Sequence, residues 1–438
     1  MKTTAGVYDL LVPIVTIAVF ILLLVWGMPI GFVFFTAGMI GIALLRGWDA
    51  GLAMMGNSPY VESANYILVA IPLFILMGQL IFYSGLSTDL YNAGHKLLGR
   101  FLGGLAHATV VSCALFGACT GSSMAAVGTI GPIAVKEMEK FNYDSRLACG
   151  TIVCGGTLGI LIPPSLAFIV YGYLCEVPIG QLFIAGIIPG ILLSVTLMLT
   201  VYLMCLRNPA LGPKGEAFSL GEMLKSLSGV WWSIAVFVVM LGGIYFGIFT
   251  PTEAGGIGSF VVFLILLIGR RMTWTVFADA LRDTTRTTCM IFTIFIGAKV
   301  FNTFVALSGI PQGAVESVSA LPFPPLVILA IILLAYIPLG CFIDSVPLFV
   351  LTLPIVDPMI KQLGFDQLWF GVLVVFVAQI SLITPPVGMN VYVLSGATGK
   401  PVEEVFRGAL PFLLTMVFTL LILFFFPFLS TYLPGLMR

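Results

Sequence analysis

The chain has 438 residues, of which 60% are hydrophobic and 9% charged, whereas ordinary soluble domains carry about 25% charged residues. Its 19 basic and 19 acidic residues cancel, so the charge balance suggests neither nucleic-acid binding nor a polybasic lipid patch. A soluble globule is excluded, and the class that remains is an all-α integral membrane protein.

Taken in chain order, apolar runs long enough to cross a bilayer fall near residues 10–26, 28–46 and 66–84. Only Lys2 precedes the first run, and no small-residue cleavage site stands before Trp26-Gly27-Met28-Pro29, so it reads as a retained helix. An apolar stretch over 101–138 follows, broken at Gly117-Ala118-Cys119-Thr120-Gly121-Ser122-Ser123 and charged at both ends. A small, polar break between two short apolar arms predicts a re-entrant hairpin that enters and leaves on one face. Spans near 146–175 and 180–206 complete the first half. The second half repeats the order, with a hairpin over 322–361 and a broken helix over 366–397.

The repetition has a fixed offset. A shift of 222 residues pairs Pro29 with Pro251, Pro132 with Pro354, Pro163-Pro164 with Pro385-Pro386, and Pro189 with Pro411. It also pairs Cys119 with Cys341, Ser123 with Ser345 and Asp144 with Asp366. The expected organisation is a first repeat over 1–206, a connector over 207–227 and a second repeat over 228–438. Five crossings per repeat, an odd number, make the second copy inverted. Fourteen basic residues, including Lys96, Arg100, Lys136, Arg207, Lys214, Arg270 and Lys400, fall on one face. Four (Lys2, Arg46, Lys361 and Arg438) fall on the other, and Lys299 lies inside a span. The excess side is cytoplasmic, so the connector is expected inside and both termini outside. The first hairpin then opens from the cytoplasm and the second from outside.

The chemistry is expected at the breaks. Proline lacks the N–H that would bond to the carbonyl four residues back, so Pro163-Pro164 release Gly159 and Ile160, and Pro385-Pro386 release Ser381 and Leu382. Such backbone is tolerated at membrane depth only when buried in protein or lining a wet cavity. There its carbonyls suit a hard cation such as Na⁺, and half-helix N-termini suit an anion; a simple proline kink is the alternative. The hairpin tips add Cys119, Thr120, Gly121, Ser122 and Ser123 in one copy, and Gly340, Cys341, Asp344 and Ser345 in the other. Asp344 is the most informative, because an ionisable group within the membrane is expensive and marks function, although it also fits a helix N-cap. Thr250-Pro251-Thr252-Glu253 reads as a capping box. Lys299 either touches a carboxylate substrate or snorkels to an interface. His95 and His107 carry no metalloprotease motif. The eight cysteines, none in a Cys-x-x-Cys pair, read as small buried hydrophobes.

Leu161-Ile162-Pro163-Pro164-Ser165, Thr250-Pro251-Thr252-Glu253-Ala254 and Ile383-Thr384-Pro385-Pro386-Val387-Gly388-Met389-Asn390 resemble the large membrane subunit of tripartite ATP-independent periplasmic (TRAP) transporters. The resemblance extends in length, repeat and composition along essentially the whole chain. It implies a bacterial inner-membrane protein of the elevator type, in which hairpins and broken helices carry Na⁺ and a carboxylate past a static scaffold. It also implies two partners, a small four-helix membrane subunit and a periplasmic substrate-binding protein. By position, the first sodium site would draw on Cys119, Thr120, Gly121, Ser122, Thr157 and Gly159. The second would draw on Gly340, Cys341, Asp344, Ser381, Thr384 and Met389. Substrate would meet Ser122, Ser123, Ser165, Ser345, Asn390 and Lys299. The related divalent-anion/sodium symporters carry Ser-Asn-Thr at the tips. Here the triplets are Ser122-Ser123-Met124 and Asp344-Ser345-Val346, which favours the TRAP resemblance and leaves the assignment of individual ligands open. The alternatives are a standalone anion/sodium symporter and, from a different class, an intramembrane enzyme, for which no convincing nucleophile and base are visible.

Overall fold

The computed structural model describes residues 2–215 and 218–437, and every regular element in it is helical. Arg438 and the side chain of Lys2, both used to orient the chain, lie outside the described residues. Among the described residues six helices are long and apolar enough to cross a bilayer, or up to eight if each bent pair counts as one span.

One group of helices forms a tightly packed frame. Ile30–Arg46 lies along the 34-residue helix Trp274–Leu307, and Ala70–Tyr83 lies along Pro251–Ile268. The first pair approaches backbone to backbone because glycines face it. A Cβ built on Gly38 would stand 2.6 Å from Phe301 Cα, and one on Gly297 would stand 2.1 Å from the Gly31 carbonyl oxygen. Small residues at such contacts replace the hydrophobic driving force that lipid does not supply between helices. Phe20, Phe34 and Phe301 then pack in tilted and edge-on contacts with ring centroids 5.2–5.5 Å apart.

The hairpins and breaks form the second group. The first hairpin consists of Gly104–Thr120 and Ser123–Lys140, and the second of Pro325–Phe342 and Ser345–Gln362. The first broken helix runs Ser145–Gly156, Leu158–Leu161 and Leu166–Cys175 with a 41° bend, and the second runs Gln367–Ser381 and Met389–Thr398. Asp144 and Asp366, paired by the 222-residue offset, take the same role. Asp144 Oδ1 accepts from the Arg146 and Leu147 amides, and Asp366 Oδ1 accepts from the Trp369 amide, so each opens a broken helix as its N-cap. The halves interlock crosswise: Met389–Thr398 packs on Ser123–Lys140, and Leu166–Cys175 packs on Ser345–Gln362. At the open end of the first hairpin Lys400 Nζ lies 2.7 Å from Glu139 Oε1, and that bond holds the Lys400 ammonium above its ordinary range.

Several elements differ from the sequence reading. Trp48–Ser63 is helical, although it lacks an apolar stripe that would mark it in the sequence. The 66–84 span opens as a 3₁₀ turn, Tyr66–Val69, before Ala70–Tyr83. The connector is not a free linker. Its Leu211 and Gly212 carbonyls accept from the Asp144 and Gly103 amides at 2.9 and 3.0 Å, and its Pro213 carbonyl accepts from Tyr143 Oη at 2.9 Å. A capped helix, Leu220–Leu227, follows. Cys289 is exposed, whereas the other seven cysteines are buried as expected. The Thr250/Glu253 capping box forms, with Glu253 Oε2 2.8 Å from the Thr250 amide.

Candidate functional site

The two hairpin tips meet. A cavity of about 60 Å³ is lined by Gly121, Ser122 and Ser123 from the first tip, Asp344 and Ser345 from the second, and Ile160 and Leu382 at the two breaks. Residues more than two hundred positions apart thus converge on one small space that combines polar tip groups with apolar side chains such as Leu166 and Val346.

The first tip is assembled from close backbone contacts. Gly121 has φ +63°, a left-handed turn that glycine adopts without strain. A Cβ there would lie 2.8 Å from the Pro164 carbonyl oxygen, and one on Gly159 would lie 3.0 Å from both Gly117 Cα and the Ser122 carbonyl oxygen. Ser122 caps the descending helix, accepting from the Ala125 amide at 3.3 Å. Thr120 and Thr157 turn their hydroxyls onto the Phe116 and Cys154 carbonyls at 3.0 and 2.7 Å. Ser165 caps Leu166–Cys175 and donates its hydroxyl to the Ile160 carbonyl.

The second tip has the same outline with different groups. Gly340 abuts Ser381, whose Oγ would lie 2.1 Å from an added Cβ. The Cys341 thiol faces the Ile337 and Pro385 carbonyls at 3.1 and 3.6 Å. Asp344 stands at the N-cap position of Ser345–Gln362, but its side chain accepts no cap hydrogen bond. Its polar contacts are with the neighbouring Ser345, through the backbone and through Oγ, which donates to Oδ1 at a long 3.4 Å. Thr384 Oγ1 donates to the Ile380 carbonyl at 2.7 Å, and Met389 opens the second half-helix behind Gly388 (φ +61°).

Released carbonyls do not all stay free. Ile160 accepts from Ser165, Ser381 accepts from the Thr384 amide at 3.2 Å, and Leu382 accepts from the Asn390 amide at 3.1 Å. Three of the four carbonyls expected to be free are therefore occupied, because the chain curls back at each break and supplies local donors.

Asn390 is fully buried, and its Nδ2 reaches Ser123 Oγ at 2.5 Å. Lys299 lies elsewhere, 3.9 Å from Glu62 on the Trp48–Ser63 helix. Glu62 itself is only 2% exposed and accepts from Tyr173 Oη at 2.7 Å. Sequence reasoning missed Glu62 and Tyr173, since no motif or periodicity links three positions so far apart. Among the described residues no group of His, Cys, Asp and Glu side chains is arranged to hold a metal ion, so any cation here would take mainly backbone and hydroxyl oxygens. Such a donor set fits a hard, weakly held ion rather than a soft one.

Comparison with known proteins follows the same lines. The family model described as "Tripartite ATP-independent periplasmic transporter, DctM component" matches residues 17–429. The C4-dicarboxylate TRAP transporter large permease protein DctM of Pseudomonas aeruginosa is 35% identical over 377 residues, covering 86% of this chain and 88% of that one. The sialic acid TRAP transporter large permease protein SiaM of Vibrio cholerae is 32% identical over 416 residues, covering 94% and 96%. Among solved structures, the Alcanivorax borkumensis YdaH transporter shares the fold, with a TM-score of 0.64 at 13% identity over 88% of this chain and 90% of that one. The chain, a multi-pass inner-membrane transporter subunit and not an enzyme, belongs to the large permease family of the tripartite ATP-independent periplasmic transporters.

Proposed function

We propose that this chain carries a small carboxylate across the inner membrane together with Na⁺, at the cavity where the two hairpin tips meet. The observation that carries the reading is the convergence of uncharged oxygens from the first tip and one carboxylate, Asp344, from the second on a single cavity. A cation beside Asp344 offsets the burial of its charge, and the two helix N-termini at Ser123 and Ser345 favour an anion alongside it. Hairpins and broken helices would move as one body against the glycine-packed frame, exposing the cavity to each side in turn. A C4-dicarboxylate and a sialic acid are the substrate types named for the two relatives above, and both carry the carboxylate this site would recognise. The basic-residue asymmetry supports a cytoplasmic connector, tested by labelling Lys214→Cys with a membrane-impermeant thiol reagent from either side.

The same reading assigns two partners, a small membrane subunit that completes the frame and a periplasmic binding protein that delivers the substrate. Radiolabelled succinate and sialic acid are presented to liposomes under an inward sodium gradient. The liposomes contain the chain alone, with either partner, or with both. Uptake is expected only with both partners and only with sodium. Full uptake by the chain alone would instead favour a self-sufficient symporter, and uptake indifferent to sodium would refute the coupling.

A further inference from the structure

The two crosswise contacts between the halves are not equivalent. Where Met389–Thr398 packs on Ser123–Lys140, Asn390 donates from Nδ2 to Ser123 Oγ. The offset of 222 maps Asn390 to Phe168 and Ser123 to Ser345, so the other crossing has a phenyl ring where this one has an amide. Asn390 is completely buried, and its Oδ1 has no partner among the described residues.

A serine hydroxyl has one proton to donate and two lone pairs. At Ser123 one lone pair takes the Asn390 N–H, and the proton is given to no acceptor among the described residues; Ser123 also lines the cavity. Ser345, its counterpart across the cavity, has the opposite polarity, since its proton goes to Asp344 Oδ1 and its lone pairs are left over. Turning the Asn390 amide over would reverse the first arrangement, drawing the Ser123 proton back toward Oδ1. That reversal would bury an –NH₂ with no acceptor, a rarer defect than the under-used carbonyl oxygen left in the present orientation.

We propose that Asn390 is a positioning residue for substrate. By donating to Ser123 it aims the Ser123 O–H into the cavity as a donor to the carboxylate, while Ser345 and Asp344 present acceptors to the cation. The assignment rests on the proposed carboxylate and sodium reading, and divides the cavity into a donor wall on the first tip and an acceptor wall on the second.

The test uses the purified full chain in detergent. Thermal stabilisation is titrated with NaCl alone, then with succinate and with sialic acid at saturating NaCl. Asn390→Ala and Ser123→Ala should each weaken the carboxylate response by about ten- to a hundredfold, the range for a hydrogen bond to a charged group. Each should leave the NaCl response within about twofold of the unaltered chain. The double variant should be no weaker than either single one, because both remove the same aimed donor. Asn390→Asp, which can only accept when ionised, should behave like Asn390→Ala toward the carboxylate. The NaCl response also reports folding, and Ser123→Ala decides the matter if Asn390→Ala does not fold. Unchanged carboxylate affinity in both single variants would overturn the proposal. So would a loss confined to the NaCl response, which would make Ser123 a cation ligand. If the unaltered chain responds to NaCl but to neither carboxylate, the substrate reading fails and this inference fails with it.

Discussion

The first and second hairpin–break units share a backbone plan and differ in how their helix starts are capped. In the first, Pro163 and Pro164 are buried, Ser122 caps its helix and Ser165 both caps a half-helix and occupies the Ile160 carbonyl. In the second, Pro385 and Pro386 are exposed and Gly388 stands where a capping side chain would be. Asp344, at the cap position, makes no cap bond. Two serine-capped helix starts therefore face two without a side-chain cap, one of them carrying a carboxyl group. The second break nevertheless has both released carbonyls occupied, and the first only that of Ile160. The contrast teaches that the breaks come from proline chemistry common to both halves, while a carboxyl group enters at one tip alone, Asp344 in place of Ser122, where the proposed cation would sit.

The largest effect that would sharpen this contrast concerns Gly340 and Ser381: the offset maps Ser381 to Gly159, which in the first half faces Gly117, so a serine stands in the second half where the first packs glycine on glycine. In Gly340→Ala the new Cβ would stand 2.1 Å from Ser381 Oγ and 2.7 Å from its Cβ. The hairpin must then part from the broken helix, costing about 1–3 kcal/mol of stability and most of the uptake. Adding Ser381→Gly removes the two Ser381 side-chain atoms that the new Cβ would meet and should recover both. A double variant as impaired as Gly340→Ala, in thermal unfolding and in uptake, would show that the Ser381 side chain is not what Gly340 makes room for. A smaller effect is expected at the first tip. Ser122→Ala loses the bond to the Ala125 amide and should lower stability by about 1 kcal/mol, read as a fall in Tm without ligand. An unchanged Tm would remove the capping half of the comparison.

Much of this was legible in the sequence because it is written locally. Double prolines break helices wherever they occur, and Gly121 and Ser122 announce a tight polar turn and a cap. Asp144 and Asp366 could be paired by offset before their capping role was known. What was not legible depends on chain segments meeting after they fold. The Leu382 carbonyl is recovered by the amide of Asn390, eight residues on, only because the chain curls back past Gly388. Glu62 meets Tyr173 and Lys299 through three separate helices, and the connector binds Gly103 and Asp144 by backbone atoms that carry no side-chain signal. Asn390 could be picked out from its motif, but its partner Ser123 lies 267 residues away in the opposite half.

The most direct measurement is the sodium dependence of uptake by Asp344→Ala, reconstituted with both partners and compared with the unaltered chain. Because the Asp344 side chain accepts no cap bond, the account predicts a Tm without ligand that is no lower than that of the unaltered chain. It also predicts half-maximal uptake at a sodium concentration at least about tenfold higher, a loss of about 1.4 kcal/mol or more in sodium binding, or no uptake at all. A lower Tm with unchanged sodium dependence would contradict it and make Asp344 a structural residue.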